Sequence, residues 1–356
     1  MIPRRKQELW DALSSVAPGT NLREGLDRIS KARMGALIVV GDGPDVLNVC
    51  SGGFLLDAAF TPQRLSELAK MDGAIILSSD SSRIARANVH LVPNPNVPTT
   101  ETGTRHRTAE RVARSVGVPV ATVSEDMAVL TVYRGDEKYQ LESIPNILNR
   151  CDQALQTLER YKSRLNEELA SLTAHEVEGL VTLRDVIVVL QRSEMVSRIA
   201  DELRHHLIEL GADGRLVRLQ LLEMMAGVGD EQTYVVRDYA PDHMKPDEAL
   251  ARLSELDPGE VTDPDDVGDV LGLSGELLDL DQSMQPRGYR ILGRILPRLP
   301  EPVIEAVVGH CGRFDKLMRA STEELSRVDG VTEQLAAVIR DGLSQQAESS
   351  ILTRYQ

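Results

Sequence analysis

Aromatic side chains are scarce in this chain: Phe, Trp and Tyr together make up 3% of 356 residues. Aliphatic packing must therefore build most of the cores. Cysteine is rarer still. Cys50, Cys151 and Cys311 are odd in number and far apart, which gives neither a disulfide framework nor metal-ligand spacing and fits reduced thiols in a cytoplasmic protein. Long apolar runs are absent, since stretches such as "ALIVV" and "VIVVL" are far too short to span a bilayer. The N-terminal "MIPRRKQELWDAL" starts basic but lacks the apolar segment of a secretory signal. No membrane partner is expected. Phosphate-cradling glycine loops are missing too: no GxxxxGKS/T occurs, and "GDGPDV" does not complete a dinucleotide fingerprint. Any nucleotide must be gripped by other means.

An excess of positive charge is also lacking. The net charge of -15 argues at first against nucleic acid. Its distribution weakens that exclusion. Between Pro241 and Gln285 thirteen acids meet only Lys245 and Arg252, whereas from Arg290 onward acids and bases balance at nine each. Arg290, Arg294 and Arg298 recur every four residues in that last part, so the global charge is the wrong statistic for a chain this uneven. Hydrophobic content of 42% and charged content of 27% are globular values, and the length fits about two or three domains.

Pattern divides the chain into three. Residues 1–143 alternate helical segments with short β-rich runs. "NLREGLDRISKARM" reads as a helix capped by Asn21, "TPQRLSELAKM" as one capped by Thr61 with Pro62 at its first position, and "TGTRHRTAERVARSVG" as one ending at Gly117. "GALIVVGD" and "DGAIILSSD" read as buried central strands, and "AVLTVYRGDEKYQL" as a hairpin turning at Arg134-Gly135-Asp136. Together these predict an α/β domain with a mixed sheet. Residues 144–286 read as an all-helical spacer, opened by a heptad-like seam through Ile144, Leu148, Cys151, Leu155, Leu158, Leu165, Leu169 and Leu172. Residues 287–356 read as helix, tight glycine turn, helix, with "VDGVT" at the turn.

Two stretches carry chemistry. Asp72-Gly73-Ala74 opens a central strand, where a carboxylate can bind a divalent cation or take a proton from a hydroxyl; the plainer reading is a solvated turn. Thr104-Arg105-His106-Arg107-Thr108 puts hydroxyls, two guanidiniums and helix N-terminal amides within five residues, a concentrated anion site. The plainer reading there is a helix start whose exposed arginines pair with Glu101 and Glu110. His205 and His206 are neighbours on a helix, about 100° apart, and read as a surface-and-core pair rather than a metal site. At the far end Gly330, Val331 and Thr332 form a turn whose amides are suited to DNA backbone without reading bases; a turn between core helices is the alternative.

Asp-Gly-Ala followed about thirty residues on by Arg-His-Arg-Thr, on a small α/β domain, resembles the diadenylate cyclase domain. With a helical spacer and a helix-hairpin-helix end, the whole chain is similar to the DNA integrity scanning family of soluble diadenylate cyclases. "DGA", "GTRHRTAER" and "SED" carry the resemblance together. It implies condensation of two ATP into cyclic di-AMP and two pyrophosphates, with Asp72, Arg105 and Arg107 catalytic. Gly73 would meet ATP through its backbone, Leu91 near the base, and Thr104, Arg105, His106, Arg107 and Thr108 around the phosphates. Mg²⁺ or Mn²⁺ is implied at Asp72 and His106, with Ser124 and Glu125 in support. The resemblance further implies face-to-face dimers joined into a homo-octamer, branched DNA as a partner that modulates synthesis, and association with the nucleoid when DNA is bound. A DNA-binding scaffold that only senses ATP, and another nucleotidyltransferase or nucleotide hydrolase, are the competing readings.

Overall fold

The computed structural model describes residues 4–125, 127, 129–273, 279–295 and 298–353. The chain forms two compact units, one of Met1–Gln153 with Leu203–Leu219, the other of Ala154–Glu202 with Gln220–Gln356.

In the first unit the elements run α1 (Arg4–Ser15), α2 (Asn21–Lys31), β1 (Ala36–Val40), α3 (Pro44–Asn48), β2 (Cys50–Ser51), β3 (Phe54–Ala59) and α4 (Pro62–Leu68). They continue with β4 (Ala74–Leu77), β5 (Arg83–Leu91), α5 (Thr104–Val116), β6 (Val120–Val123), β7 (Leu130–Arg134) and β8 (Glu137–Gln140). The sheet order is β2-β5-β4-β1-β6-β7-β8, with β3 also paired to β5. β1 and β4 are parallel, while β1–β6, β4–β5 and β6–β7–β8 are antiparallel, so the expected mixed sheet forms. β1 and β4 are buried at every residue because both sheet faces are covered, which is why they read as unbroken apolar runs. Leu13, Leu22, Leu26 and Ile29 cover one face; Ala109, Val112 and Ala113 of α5 pack with Leu37, Val39 and Ile76 on the other.

Local chemistry fixes the element ends. Thr61 caps α4 as expected, its hydroxyl accepting from the Arg64 amide at 3.1 Å. α2 is capped one residue earlier than expected. Thr20, not Asn21, accepts from the Arg23 amide at 3.1 Å, and Asn21 is already helical. α5 ends at Gly117, which is left-handed at φ 72°. The β7–β8 turn falls at Gly135, φ 56°, between Arg134 and Glu137.

Two long helices follow, α6 (Ile144–Glu178) and α7 (Leu183–Leu210), then α8 (Arg215–Met225) and α9 (Val228–Tyr239). The acidic stretch forms three short helices, α10 (Pro246–Glu255), α11 (Pro258–Thr262) and α12 (Pro264–Val270). The seam on α6 is buried from Cys151 to Leu172, but at its start Ile144 and Leu148 are only partly buried and Ile147, outside the seam, is buried instead. In the second unit α13 (Tyr289–Gly293), α14 (Glu301–Cys311), α15 (Phe314–Arg319), α16 (Thr322–Leu325) and α17 (Glu333–Thr353) enclose an aliphatic core centred on Leu292, Val307, Leu317, Leu325, Ala336 and Ile339.

The three evenly spaced arginines of the last segment are all engaged by carboxylates. Arg290 is fully buried and bonded to Glu176, Arg294 holds Glu231 at 2.6 Å, and Arg298 holds Asp230 at 2.9 Å. The four-residue period never becomes one solvent-facing helix surface, because α13 stops at Gly293 and carboxylates of α6 and α9 lie against it. Among the described residues no helix is long and apolar enough to cross a membrane.

Candidate nucleotide-binding site

The first wall of the site is the turn into β4. Gly73 has φ +96°, and a Cβ there would lie 2.9 Å from the Val89 carbonyl oxygen on β5. Glycine is thus required both by backbone conformation and by close approach. Asn88, also left-handed at φ 55°, donates from Nδ2 to the Asp72 carbonyl at 2.7 Å. The β4–β5 register shifts between Ala74 and Ile76, which gives the turn room to present Asp72.

The opposite wall is the start of α5. Gly103 occupies the cap position and offers no side chain to the first-turn amides. A helix of 13 residues begins here with uncapped donors. Thr108 donates its hydroxyl back to the Thr104 carbonyl at 2.9 Å. Arg105 is half-buried, its guanidinium lying along Gly35. The two plainer partners for the arginines are engaged elsewhere. Glu101 pairs with Lys138 at 2.5 Å, and Glu110 with Arg114 at 3.0 Å.

Between these walls lies a cavity of about 750 Å³, ample for a nucleotide. It brings together Asp72, Gly73, Leu91, Thr104, Arg105, His106, Thr108, Ser124 and Glu125. Asp126 of the "SED" stretch lies outside the described residues. Arg107 does not line the cavity. It is exposed, and two steps along a helix from Arg105 it points about 200° away. Sequence reasoning missed Glu101 as a wall residue, together with Thr131, Lys138 and Gln140 of the β7–β8 hairpin.

Burial holds the His106 imidazole below its ordinary pKa; the Lys138 and Arg105 charges push the same way and Glu101 opposes them. For Glu101 burial works upward, but hydrogen bonds from Lys138 and Tyr133 outweigh it and hold the carboxyl below its usual range. Among the described residues no three His, Cys, Asp or Glu side chains converge as a metal cage. The donors in the cavity instead suit a hard cation shared between one or two carboxylates and a ligand's own phosphates.

In the second unit Gly330 is exposed at φ +78°, Val331 is buried, and the Thr332 hydroxyl accepts from the Leu335 amide at 3.2 Å. His205 stacks 4.4 Å from Trp10 in the first unit, in keeping with a packing role.

A mixed sheet with a nucleotide-sized, anion-adapted cavity between a strand entry and a helix start defines a nucleotide-binding enzyme domain. Residues 23–138 match the family described as DisA bacterial checkpoint controller nucleotide-binding, and residues 141–278 match the DisA bacterial checkpoint controller linker region. The DNA integrity scanning protein DisA of Parafrankia sp. is 52% identical over 346 residues, covering 96% of both chains. The protein of the same name from Frankia casuarinae is also 52% identical, over 96% of each chain. That from Kineococcus radiotolerans is 51% identical over 98% of this chain and 97% of its own. Among solved structures, DacA from Staphylococcus aureus aligns with 40% of this chain and 91% of its own, at 22% identity and a TM-score of 0.28. The chain belongs to the DisA family, and as an enzyme it is a diadenylate cyclase.

Proposed function

We propose that the protein condenses two ATP molecules into cyclic di-AMP and releases two pyrophosphates. The observation that carries this reading is the single cavity shared by Asp72-Gly73 and the first turn of α5. Each ribose 3′-hydroxyl attacks the α-phosphate of the other nucleotide. Two identical attacks related by a two-fold axis are served by two copies of one site face to face, so each protomer brings one nucleotide. Asp72 draws the proton from the attacking hydroxyl. Arg105 and Thr104 hold the triphosphate with the α5 amides, Thr108 closes the same turn, and Arg107 adds charge from its exposed side. His106, whose charged form burial disfavours, would accept or donate a hydrogen bond at the phosphates. Gly73 admits the nucleotide close to the main chain, Leu91 gives the base an apolar contact, and Ser124 and Glu125 border the site. Asp72 and His106 would hold Mg²⁺ or Mn²⁺ with the nucleotide, and the cation would offset charge on the phosphates. Positioning and charge stabilisation supply most of the catalysis.

The second part of the proposal concerns residues 287–356, read as a helix-hairpin-helix domain beyond a spacer of residues 144–286. Of Gly330, Val331 and Thr332, the Val331 amide already donates to the Val328 carbonyl at 3.1 Å, so Gly330 and Thr332 would meet DNA backbone through their main-chain amides. Arg290, Arg294 and Arg298 are already engaged with carboxylates, so one copy binds weakly. Useful affinity then requires several copies on one assembly, here an octamer of face-to-face dimers. Branched DNA that engages several copies lowers cyclic di-AMP output and brings the protein to the nucleoid.

Purified protein, ATP and Mg²⁺ or Mn²⁺, with products resolved by chromatography, test the first part. Cyclic di-AMP supports it; ADP or AMP points to a hydrolase, and unchanged ATP to a scaffold. Repeating the assay with a four-way junction at rising salt tests the second, since phosphate contacts weaken steeply with salt.

A further inference from the structure

The segment that enters α5 is fastened at two points. Glu110, on α5 itself, accepts from the Thr99 hydroxyl at 2.5 Å and the Thr100 amide at 3.0 Å. Glu101 reaches the other way, into the sheet. It accepts from the Tyr133 hydroxyl at 2.9 Å and pairs with Lys138 at 2.5 Å. Tyr133 is buried on β7 and Lys138 is half-exposed on β8, so both partners are carried by the β7–β8 hairpin. Glu101 itself is 14% exposed in its side chain, lines the cavity, and stands two residues before the α5 cap Gly103.

A carboxylate on the wall of a polyphosphate site is electrostatically unfavourable unless something neutralises it. Lys138 does so here. A second unfavourable feature is avoided as well, because the buried Tyr133 hydroxyl finds its acceptor in the same carboxylate. We propose that Glu101 is a positioning residue, and that with Lys138 and Tyr133 it locks the first turn of α5 to the β7–β8 hairpin so that Arg105, Thr104 and the helix amides meet the triphosphate. The inference rests on the reading that this cavity holds a nucleoside triphosphate. Glu101 never touches the reacting atoms; it acts through the turn that does.

The probe is 3′-deoxy-ATP, which keeps the triphosphate and base but lacks the attacking hydroxyl, so binding is read without turnover. In the full-length protein Glu101→Gln retains an acceptor for Tyr133 and loses the ion pair, while Lys138→Met loses the same pair from the other side. Each variant is expected to bind the probe about tenfold more weakly, as a small misplacement of contact groups would produce. The KM for ATP should rise with it, and kcat should fall less. The double variant should be no weaker than either single one, Lys138→Arg should restore most of the affinity, and amide exchange across residues 99–107 should quicken in both single variants. Additive losses with unchanged exchange would mean that Lys138 contacts the nucleotide on its own account, and would overturn the inference. Binding by Glu101→Gln as tight as the parent's would overturn it too. If the parent itself fails to bind 3′-deoxy-ATP, the nucleotide reading falls and takes this inference with it; loss of the variant effects alone leaves that reading standing.

Discussion

Asn88 donates from Nδ2 to the main-chain carbonyl of Asp72 at 2.7 Å, and does so from left-handed backbone at φ 55°. Asparagine is one of the few residues that tolerate that conformation, so one side chain both permits the β5 distortion and fixes the turn presenting Asp72. Asn88→Gly keeps the backbone conformation and deletes the bond. Synthesis by Asn88→Gly is expected to fall about tenfold through loosened placement of Asp72. Asp72→Asn, which removes the proposed proton acceptor itself, should cost at least ~100-fold. Initial rates of cyclic di-AMP formation rank the two; parent-like rates for Asn88→Gly would detach the clamp from catalysis.

Gly35 bears on Arg105 in a different way. Its φ lies outside the left-handed region, yet a Cβ there would come within 2.6 Å of Arg105 Cζ. Gly35→Ala therefore need not disturb the strand, because the clashing group is the movable end of a long side chain. It should instead push the guanidinium away from the cavity wall. Nucleotide affinity is expected to drop by about the tenfold worth of one charge-assisted contact. Adding Arg105→Ala should then cost little more. Titration of 3′-deoxy-ATP into the two single variants and the double variant measures this, and full additivity would refute it.

The contrast between these positions shows what was legible beforehand. Asp72-Gly73 and Thr104 to Thr108 announce themselves because each packs its chemistry into adjacent residues, and the burial of β1 and β4 follows from unbroken apolar runs. Contacts set by sheet register do not show in this way. Glu101 meets Lys138 only because β8 folds back on β7, with Arg134 opposite Glu137. Arg107 was grouped with Arg105 by proximity in sequence, although helical rotation separates their faces. The period of Arg290, Arg294 and Arg298 does not reveal their partners, because the carboxylates that claim them come from α6 and α9, more than 50 residues away. β2 has only two residues, too few to show a pattern, and in β3 Phe54, Leu55 and Leu56 are consecutive apolar residues, all exposed, with no alternation to announce a strand.

Asp238 is expected to make the stability of the second unit depend on pH. It is fully buried, and burial together with the Glu176 charge pushes its carboxyl up to about 7, against three backbone amides from Gly288, Tyr289 and Arg290 that favour the ionised form. A carboxyl raised in the folded state binds its proton more tightly there than in the unfolded chain. Stability from this group is therefore greatest at low pH and declines as pH rises from about 4 to about 7. Urea midpoints of the parent, compared with Asp238→Asn over that range, should show the parent losing ground as pH rises. A difference that is flat or rises would mean that the three amides prevail and the carboxyl stays ionised throughout.

Beside Asp238, Arg290 is buried completely, with its Nε 3.1 Å from Glu176 and its Nη2 2.9 Å from the Thr173 hydroxyl. Glu176 also accepts from the Tyr239 hydroxyl at 2.7 Å. Such a pair sacrifices hydration on both sides, so its net contribution to stability is small even though its parts depend strongly on one another. Arg290→Ala would leave the Glu176 carboxyl buried without its cation. The expected loss is about 3–5 kcal/mol of unfolding free energy, the usual cost of stranding a buried charge. Replacing both members, Arg290→Met with Glu176→Gln, removes the stranded charge and keeps a polar partner for Tyr239. That double variant should recover at least half of the loss. Chemical unfolding of the three proteins at pH 7, followed by circular dichroism, gives the comparison directly. If the double variant is less stable than Arg290→Ala, the arginine was serving as a packing element, and charge compensation is not what holds α13 in place.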